Sequence, residues 1–370
     1  MARSEKNLTA VFTDTASAIR AKTGTTETIC PLDFADKINA IETGGGGGLK
    51  AYFEGGGKCG YSSAITFDGI INYSDTENVE FGSHFFAECE NLKTMPNIDY
   101  SSFKDASYMF YHCRNLESID ININATNMSQ FCPFCYSLKT ANVHNNATSP
   151  VSMQGMFREN SVLDSVRIEC PWAYDMESVC GSSHVSNVSL PLLINQDYLP
   201  SSQRHNIYYD SAFRNCGSLY SVSMDIGGVS ENSTDIYVSM KHAFFGTKRG
   251  DGKYCGVSFA NGDKNVIRRF DGAFANSSIA FLGAVNCAKA TGLDSAFTGA
   301  TSLKSLEFYN ISTDINISDC TRMERSDLLV VLNNLATVTS TKTCTLGATN
   351  LAKLTDDDKA IATNKGWTLA

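Results

Sequence analysis

Cys132-Pro-Phe-Cys135 is the stretch of this 370-residue chain whose spacing comes nearest to reactive chemistry. In a redox domain the first thiolate of such a pair, with its pKa lowered at a helix N-terminus, attacks a disulfide. That chemistry needs an alternating strand-helix-strand setting, and the flanking sequence offers none. As half of a zinc site the pair needs a second Cys-x2-Cys or a His-x3-His nearby, and neither follows. Both cysteines also fall on a spacing that recurs along the chain, so packing is the expected role.

His84, His112, His144, His184, His205 and His242 are scattered singly. His112 beside Cys113 suggests a Cys-His nucleophile, but adjacent residues of a helical turn face apart. Gly-x-Ser-x-Gly, His-Glu-x2-His and the dinucleotide fingerprint are missing from the sequence. Carboxylates are plentiful, so a glycosidase pair stays open, with no two residues marked out for it. The expectation is a chain without catalytic, cofactor-binding or metal-ligating residues, acting by surface contact.

Two polar columns could supply that contact. Ser118, Thr140, Ser165, Ser221 and Ser305 form one, and Asp120, Asn142, Arg167, Ser223 and Glu307 the other, provided that the apolar residues between them point inward from parallel strands. Such a face suits hydrogen bonding to a carbohydrate or a protein. Trp172, Tyr174, Tyr208 and Tyr209 are the candidate exposed aromatics, able to stack on sugars or anchor an interface.

The elements that must position these columns follow from one recurring frame, [Ala/Met]-Phe-x2-Cys-x2-Leu-x2-[Val/Ile/Leu]-x-apolar. It reads at Phe110/Cys113/Leu116/Ile119/Ile121 and at Phe213/Cys216/Leu219/Val222/Met224, with copies from Phe86 to Phe297. Weaker copies begin at Cys132, Val179 and Phe274, and a copy opened by Phe244 is interrupted by Gly246 to Gly256. A period in the low twenties, with insertions, implies a solenoid whose units bury one another's apolar faces. Phe and Cys three apart fit one helical turn and Val222-Ser-Met224 fits a strand, so each unit reads as a short helix feeding a short strand. Asp210, Asp271 and Asp294, three residues before their Phe, read as caps of those turns. Cys89, Cys113, Cys135 and Cys216 hold one frame position and read as buried small hydrophobes rather than disulfides. Insertions at Pro191 to His205 and Phe245 to Tyr254 should stand out as loops.

The ends depart from the frame. Leu8, Val11, Phe12 and Ile19 share one helical face, and Phe34, Ile38 and Ile41 a second, giving a helical docking or oligomerisation module over 1–43. Glycines 44–48 make a linker, 49–80 an N-terminal cap, 81–316 the repeats and 317–370 an α+β C-terminal cap. Within that cap, Ser326 and Thr355 are expected helix starts and Trp367-Thr-Leu369 a last strand. Asp356-Asp-Asp358 suits a helix N-terminus better than a cation site.

Composition sets the outer bounds. With 42% hydrophobic and 19% charged residues the chain is globular in type, and no window approaches the roughly 18 apolar residues of a spanning helix. A net charge of −9 argues against a nucleic-acid partner, whose phosphates need Lys and Arg. Met1-Ala-Arg-Ser-Glu-Lys-Asn-Leu lacks the apolar core of a secretory signal, so synthesis and folding are expected in a cytoplasm.

Three segments carry a family resemblance. Met109-Phe-Tyr-His-Cys-Arg-Asn-Leu-Glu-Ser-Ile-Asp120 and Ala296-Phe-Thr-Gly-Ala-Thr-Ser-Leu-Lys-Ser-Leu306 resemble the BspA-like leucine-rich repeat of bacterial surface and phage-encoded proteins. Leu8 to Gly24, followed by Asp33 to Ile41 and glycines, is similar to a module that opens many phage tail proteins. Thr345 to Trp367 resembles the C-terminal segment of phage-type repeat proteins. The resemblance implies an α/β leucine-rich-repeat solenoid and a virion protein of tail fibre or baseplate, docked by its N-terminus to other tail proteins. It would bind host-surface carbohydrate or protein, as a homo-oligomer and conceivably a trimer, with no cofactor, nucleic acid or membrane insertion. A bacterial surface adhesin of the same repeat family and a polysaccharide hydrolase within the insertions are the alternatives.

Overall fold

Strict alternation in Ser118-Ile-Asp-Ile-Asn-Ile123 places every second side chain in the interior, and this strand is the first of a stack. The computed structural model describes residues 82–370, apart from 90–91, 96–98, 227–228, 230–231, 234–235, 261 and 263–266. The module over 1–43 with Leu8, Val11, Phe12, Ile19, Phe34, Ile38 and Ile41, the linker at 44–48 and the segment 49–80 lie outside the described residues.

Strands are numbered along the chain. The principal sheet is parallel and joins β1 (Ser118–Ile123), β2 (Thr140–Asn145), β4 (Ser165–Glu169), β6 (Asn187–Ser189), β8 (Ser221–Asp225), β10 (Cys255–Ala260), β12 (Ile279–Asn286) and β13 (Ser305–Tyr309) in that spatial order. A second parallel sheet orders β11 (Ile267–Arg269), β9 (Val238–Ser239), β7 (Ile207–Tyr208), β5 (Ala173–Asp175) and β3 (Val151–Ser152). Each rung thus contributes a long strand to one ladder and a short one to another. The insertion after β6 holds two 3-10 turns, Gln196–Tyr198 and Ser201–Gln203.

Between the ladders, the Phe-x2-Cys segments form consecutive turns, which corrects the expected short helix. In Tyr108–Cys113 the N–H groups of Met109, Tyr111 and Cys113 donate three residues back, to Ala106, Tyr108 and Phe110, whereas those of Tyr108, Phe110 and His112 donate to Ser129, Phe131 and Pro133 in the next rung. A helix would use every N–H on its own carbonyls; here half of them build a third ladder. Tyr108 and His112 accordingly take positive φ of 56° and 57°. Such angles cost about 1–3 kcal/mol each in a non-glycine residue and persist because the inter-rung bonds over-determine them. At Gly272, whose φ is +60°, an added Cβ would meet His242 Nδ1 at 2.5 Å, so one rung's side chain lies over the next rung's bare backbone.

The frame residues fill the interior. Phe86 stacks on Phe110 at 5.3 Å, and Phe213, Phe244, Phe274 and Phe297 stack in series at 5.1, 5.6 and 5.5 Å. Burying each ring contributes roughly 1.5–3 kcal/mol before entropy is counted. Cys132 stands at a Phe position, and its neighbour Phe131 supplies the ring, edge-on to Phe110 at 5.3 Å and to Phe157 at 6.4 Å. The cysteine column does more than fill space. Cys113, Cys135 and Cys216 donate their thiols to the carbonyls of Phe86, Phe110 and Cys180 one rung back, at 3.0, 3.1 and 3.0 Å. Ser183 continues the pattern with its hydroxyl on the Phe157 carbonyl at 2.6 Å.

Asp210 does not cap its own turn: its Oδ1 accepts from Ser239 Oγ at 2.5 Å and from the Lys241 N–H at 2.9 Å, both in the following rung. Asp271 faces Arg269, two residues earlier in its own rung, at 3.4 Å. Short acceptors that do close local turns include Asp105, Asn127 and Asp175, each taking the N–H two residues on.

After Ile311 the pattern changes to a three-stranded parallel sheet of β14 (Ile315–Asn316), β15 (Lys342–Thr345) and β16 (Trp367–Leu369), with helices α1 (Arg325–Asn334), α2 (Gly347–Leu351) and α3 (Asp356–Thr363). The first helix is capped by Glu324 rather than Ser326, with the Glu324 N–H donating to Asp327 at 3.0 Å. Thr355 caps α3 as its sequence implies, accepting the Asp358 N–H at 3.2 Å. Leu328, Val331 and Leu332 bury the inner side of α1, which packs against β13.

Candidate binding face

Parallel register turns the predicted polar columns into rows across the outer side of the principal sheet. Ser118, Thr140, Ser165, Asn187, Ser221, Gly256, Phe281 and Ser305 stand opposite one another in one row. Asp120, Asn142, Arg167, Ser189, Ser223 and Ser258 form the next, with Glu307 on its far side. The alternate residues Ile119, Ile121, Val166, Val222, Leu282 and Leu306 are buried beneath. All ten predicted face residues therefore lie on one surface, and the inward turn of the apolar set is what puts them there.

The surface is not flat. Between Arg167 and Glu307 the outward side chains, Phe281 apart, shrink to Ser, Asn and Gly, leaving a trough of about 720 Å³. It runs from β4 to β13, five strand spacings or roughly 24 Å. Its floor holds Ser189, Ser221, Ser223, Gly256, Ser258 and Gly283, and the Phe281 ring, 49% exposed, stands up from it. Ser221 donates to Asn187 Oδ1 at 3.1 Å, so part of the floor is already ordered by hydrogen bonds. A smaller hollow of about 290 Å³ adjoins it, lined by Asp120, Asn142, His144, Arg167 and Glu169. There Glu169 pairs with His144 at 2.7 Å and with Arg167, and the His144 contact followed by Arg167 holds its carboxyl below the ordinary value.

One of the four aromatic candidates is corrected. Tyr209 is wholly buried and donates its hydroxyl to the Asp225 carbonyl. Trp172 is half-buried against the core, Tyr174 stacks on His205 at 4.5 Å, and Tyr208 accepts from Asn206 at 3.0 Å beside Tyr237. None of the four lines the trough. The exposed rings near the trough are Phe281 and Tyr220, the latter 55% exposed, neither of which sequence reasoning selected. The outward position of Phe281 between inward Ile279 and Leu282 was legible only with the strand register in hand, because β12 shifts against both neighbours.

The nucleophile candidates are removed from solvent. Cys132 and Cys135 are buried free thiols with sulfurs 2.7 Å apart. Burial first, then the Cys135 hydrogen bond, pushes the Cys132 thiol well up, away from the thiolate that attack requires. His112 lies against Tyr111 at 4.3 Å and Phe134 at 4.7 Å. Asp358 is held by Arg325 and Asp356 faces Lys359. Among the described residues no group of three His, Cys, Asp or Glu gathers as a metal site, and no helix is long and apolar enough to cross a membrane.

Stacked parallel rungs with a Phe-x2-Cys-x2-Leu frame and a one-residue-in, one-residue-out strand define the repeat type. Residues 70–174 match the BspA type leucine rich repeat region, in six copies. The match covers less than a third of the chain, and the described rungs beyond 174 continue the same parallel strand pairing. A leucine-rich repeat protein from Bacteroides ovatus is similar at 17% identity over 65% of this chain and 68% of that one, with a TM-score of 0.22, too slight a likeness to bear on shape or function. No curated protein matches the chain.

Proposed function

We propose that this chain is a binding protein that meets a cell surface through the outer side of its principal sheet and performs no bond chemistry. The observation that carries the reading is the trough: hydroxyl and amide side chains over buried apolar partners, with one exposed ring, offer hydrogen bonds and stacking to an extended ligand. The rungs stack as one solenoid, whose far end is covered by the unit from Ile311 onward. The N-terminal resemblance supports carriage on a phage tail, with residues 1–43 docking to tail or baseplate proteins and several copies adding their affinities.

A bacterial surface adhesin is the second reading, and the BspA-type region supports it equally. Peptide mass spectrometry of purified virions against cell-envelope fractions separates the two. Recovery in virions, lost on truncation at the glycines 44–48, supports the tail protein; recovery only in envelopes overturns it. Failure of the purified full chain to bind intact cells or isolated wall overturns both.

A further inference from the structure

The end of the trough where the strands begin gathers two cations on one ring. Tyr254 stands two residues ahead of Gly256, and Lys304 directly ahead of Ser305, so both flank the row that contains Phe281. Lys304 Nζ lies 4.3 Å from the centre of the Tyr254 ring, Arg322 Cζ lies 5.6 Å from it, and Arg322 also donates to the Tyr254 hydroxyl. One ring therefore gathers two cations from different rungs.

Two other arginines are neutralised where they stand: Arg249 on the same edge binds Asp251 at 2.6 Å, and Arg325 binds Asp358 at 2.7 Å. Lys304 and Arg322 reach no carboxylate within ion-pair distance among the described residues. Two like charges fixed beside one ring repel each other, and an anion between them would reverse that sign. Phe281 and Tyr220, 49% and 55% exposed, stand on the same edge as platforms for a sugar ring.

We infer that Tyr254, Lys304 and Arg322 form an anion subsite at the mouth of the trough, which takes the carboxylate or sulfate of an acidic polysaccharide whose neutral part lies on Phe281 and the serine floor. The inference rests on the sheet face being the binding surface. The net charge of −9 repels any polyanion as a whole, but at physiological salt that repulsion is screened beyond about 8 Å and the local cation pair acts at shorter range.

The test measures binding of the full chain to polygalacturonate, dextran sulfate, unmodified dextran and an oligothymidylate at roughly 0.15 M salt. Wild-type protein should prefer at least one acidic polymer to dextran, and comparison of polygalacturonate with dextran sulfate tells carboxylate from sulfate. The double variant Lys304→Gln/Arg322→Gln should lose about tenfold or more on that polymer and keep its affinity for dextran. Lys304→Arg/Arg322→Lys should restore most of the loss, which a fold defect would not allow. Equal binding of dextran and the acidic polymers, no binding of either acidic polymer, unchanged binding by the double variant, or tighter binding of oligothymidylate each overturns the subsite. Cells still bound by wild type and double variant alike would overturn the subsite and leave the sheet-face reading standing; loss of all cell binding by wild type would sink that reading too.

Discussion

Cys135 turns its thiol onto the carbonyl of Phe110 in the preceding rung, 3.1 Å away, while its own N–H donates to Asn160 Oδ1 in the following rung at 2.7 Å. One residue of a nominal redox motif thus joins three rungs. Its role is cohesion, since the sulfur is buried and spent on a carbonyl of the preceding rung.

Thiol reactivity should follow. Burial pushes Cys216, Cys255, Cys320 and Cys344 up to about 12. Iodoacetamide at pH 7 to 9 should leave the eleven described cysteines unlabelled in native protein and label them all after denaturation, read by peptide mass spectrometry. Native labelling of Cys132 or Cys135 that rises across this range would contradict the ladder.

Asn160 is the ladder's most connected member. Its Nδ2 donates to the carbonyls of Cys132 and Phe157 at 2.9 and 3.1 Å, and its Oδ1 accepts from Cys135. Asn160→Ala strands a buried N–H and a buried carbonyl, and should cost about 3 kcal/mol in denaturant unfolding. An unchanged midpoint would mean that water or relaxation satisfies them.

The ring stack makes a second, apolar prediction. Phe274 lies between Phe244 at 5.6 Å and Phe297 at 5.5 Å and is 1% exposed. Phe274→Ala should destabilise by about 3–5 kcal/mol, measured by chemical denaturation, whereas Phe281→Ala on the outer face should change stability by about 0.5 kcal/mol or less.

Filling the trough should separate binding from folding. Ser223→Arg places a long side chain over the floor between Ser189 and Ser258 without touching the core. Attachment of the purified protein to cells should fall by about tenfold or more while the thermal midpoint stays within about 0.5 kcal/mol of wild type. Retained attachment would move the contact surface elsewhere.

The C-terminal unit should be acid-sensitive. The Arg325 guanidinium, followed by the Thr355 N–H, holds the Asp358 carboxyl down to about 2, from 3.8. A lowered pKa stabilises the folded state above the unfolded value, and that contribution is lost as pH falls from about 4 through about 2. Melts followed by the buried Trp367 should therefore drop across this window, and Arg325→Gln should lower the midpoint at pH 6 while flattening the drop. A variant with the wild-type acid profile would assign the sensitivity to other carboxylates.

Part of this molecule was legible because strand alternation is a local rule. Ile119, Val166, Val222 and Leu306 had to point one way and Ser118, Arg167, Ser223 and Glu307 the other, whatever the path between them. The buried cysteine column and the Thr355 helix start are local in the same sense. The conformation of the Phe-x2-Cys segment was not, because a helical turn and a run of turns satisfy one apolar spacing equally, and only the next rung's carbonyls decide between them.

The sequence by itself therefore determined the repeat, the inside and outside of each strand, and the polar rows. Tertiary structure alone decided the depth of the trough, the burial of Tyr209, the outward turn of Phe281, and the meeting of Tyr254 with Lys304 and Arg322. The physical reason is that these depend on register and insertion length between rungs, which set which side chains lie side by side, and a linear pattern carries no such adjacency.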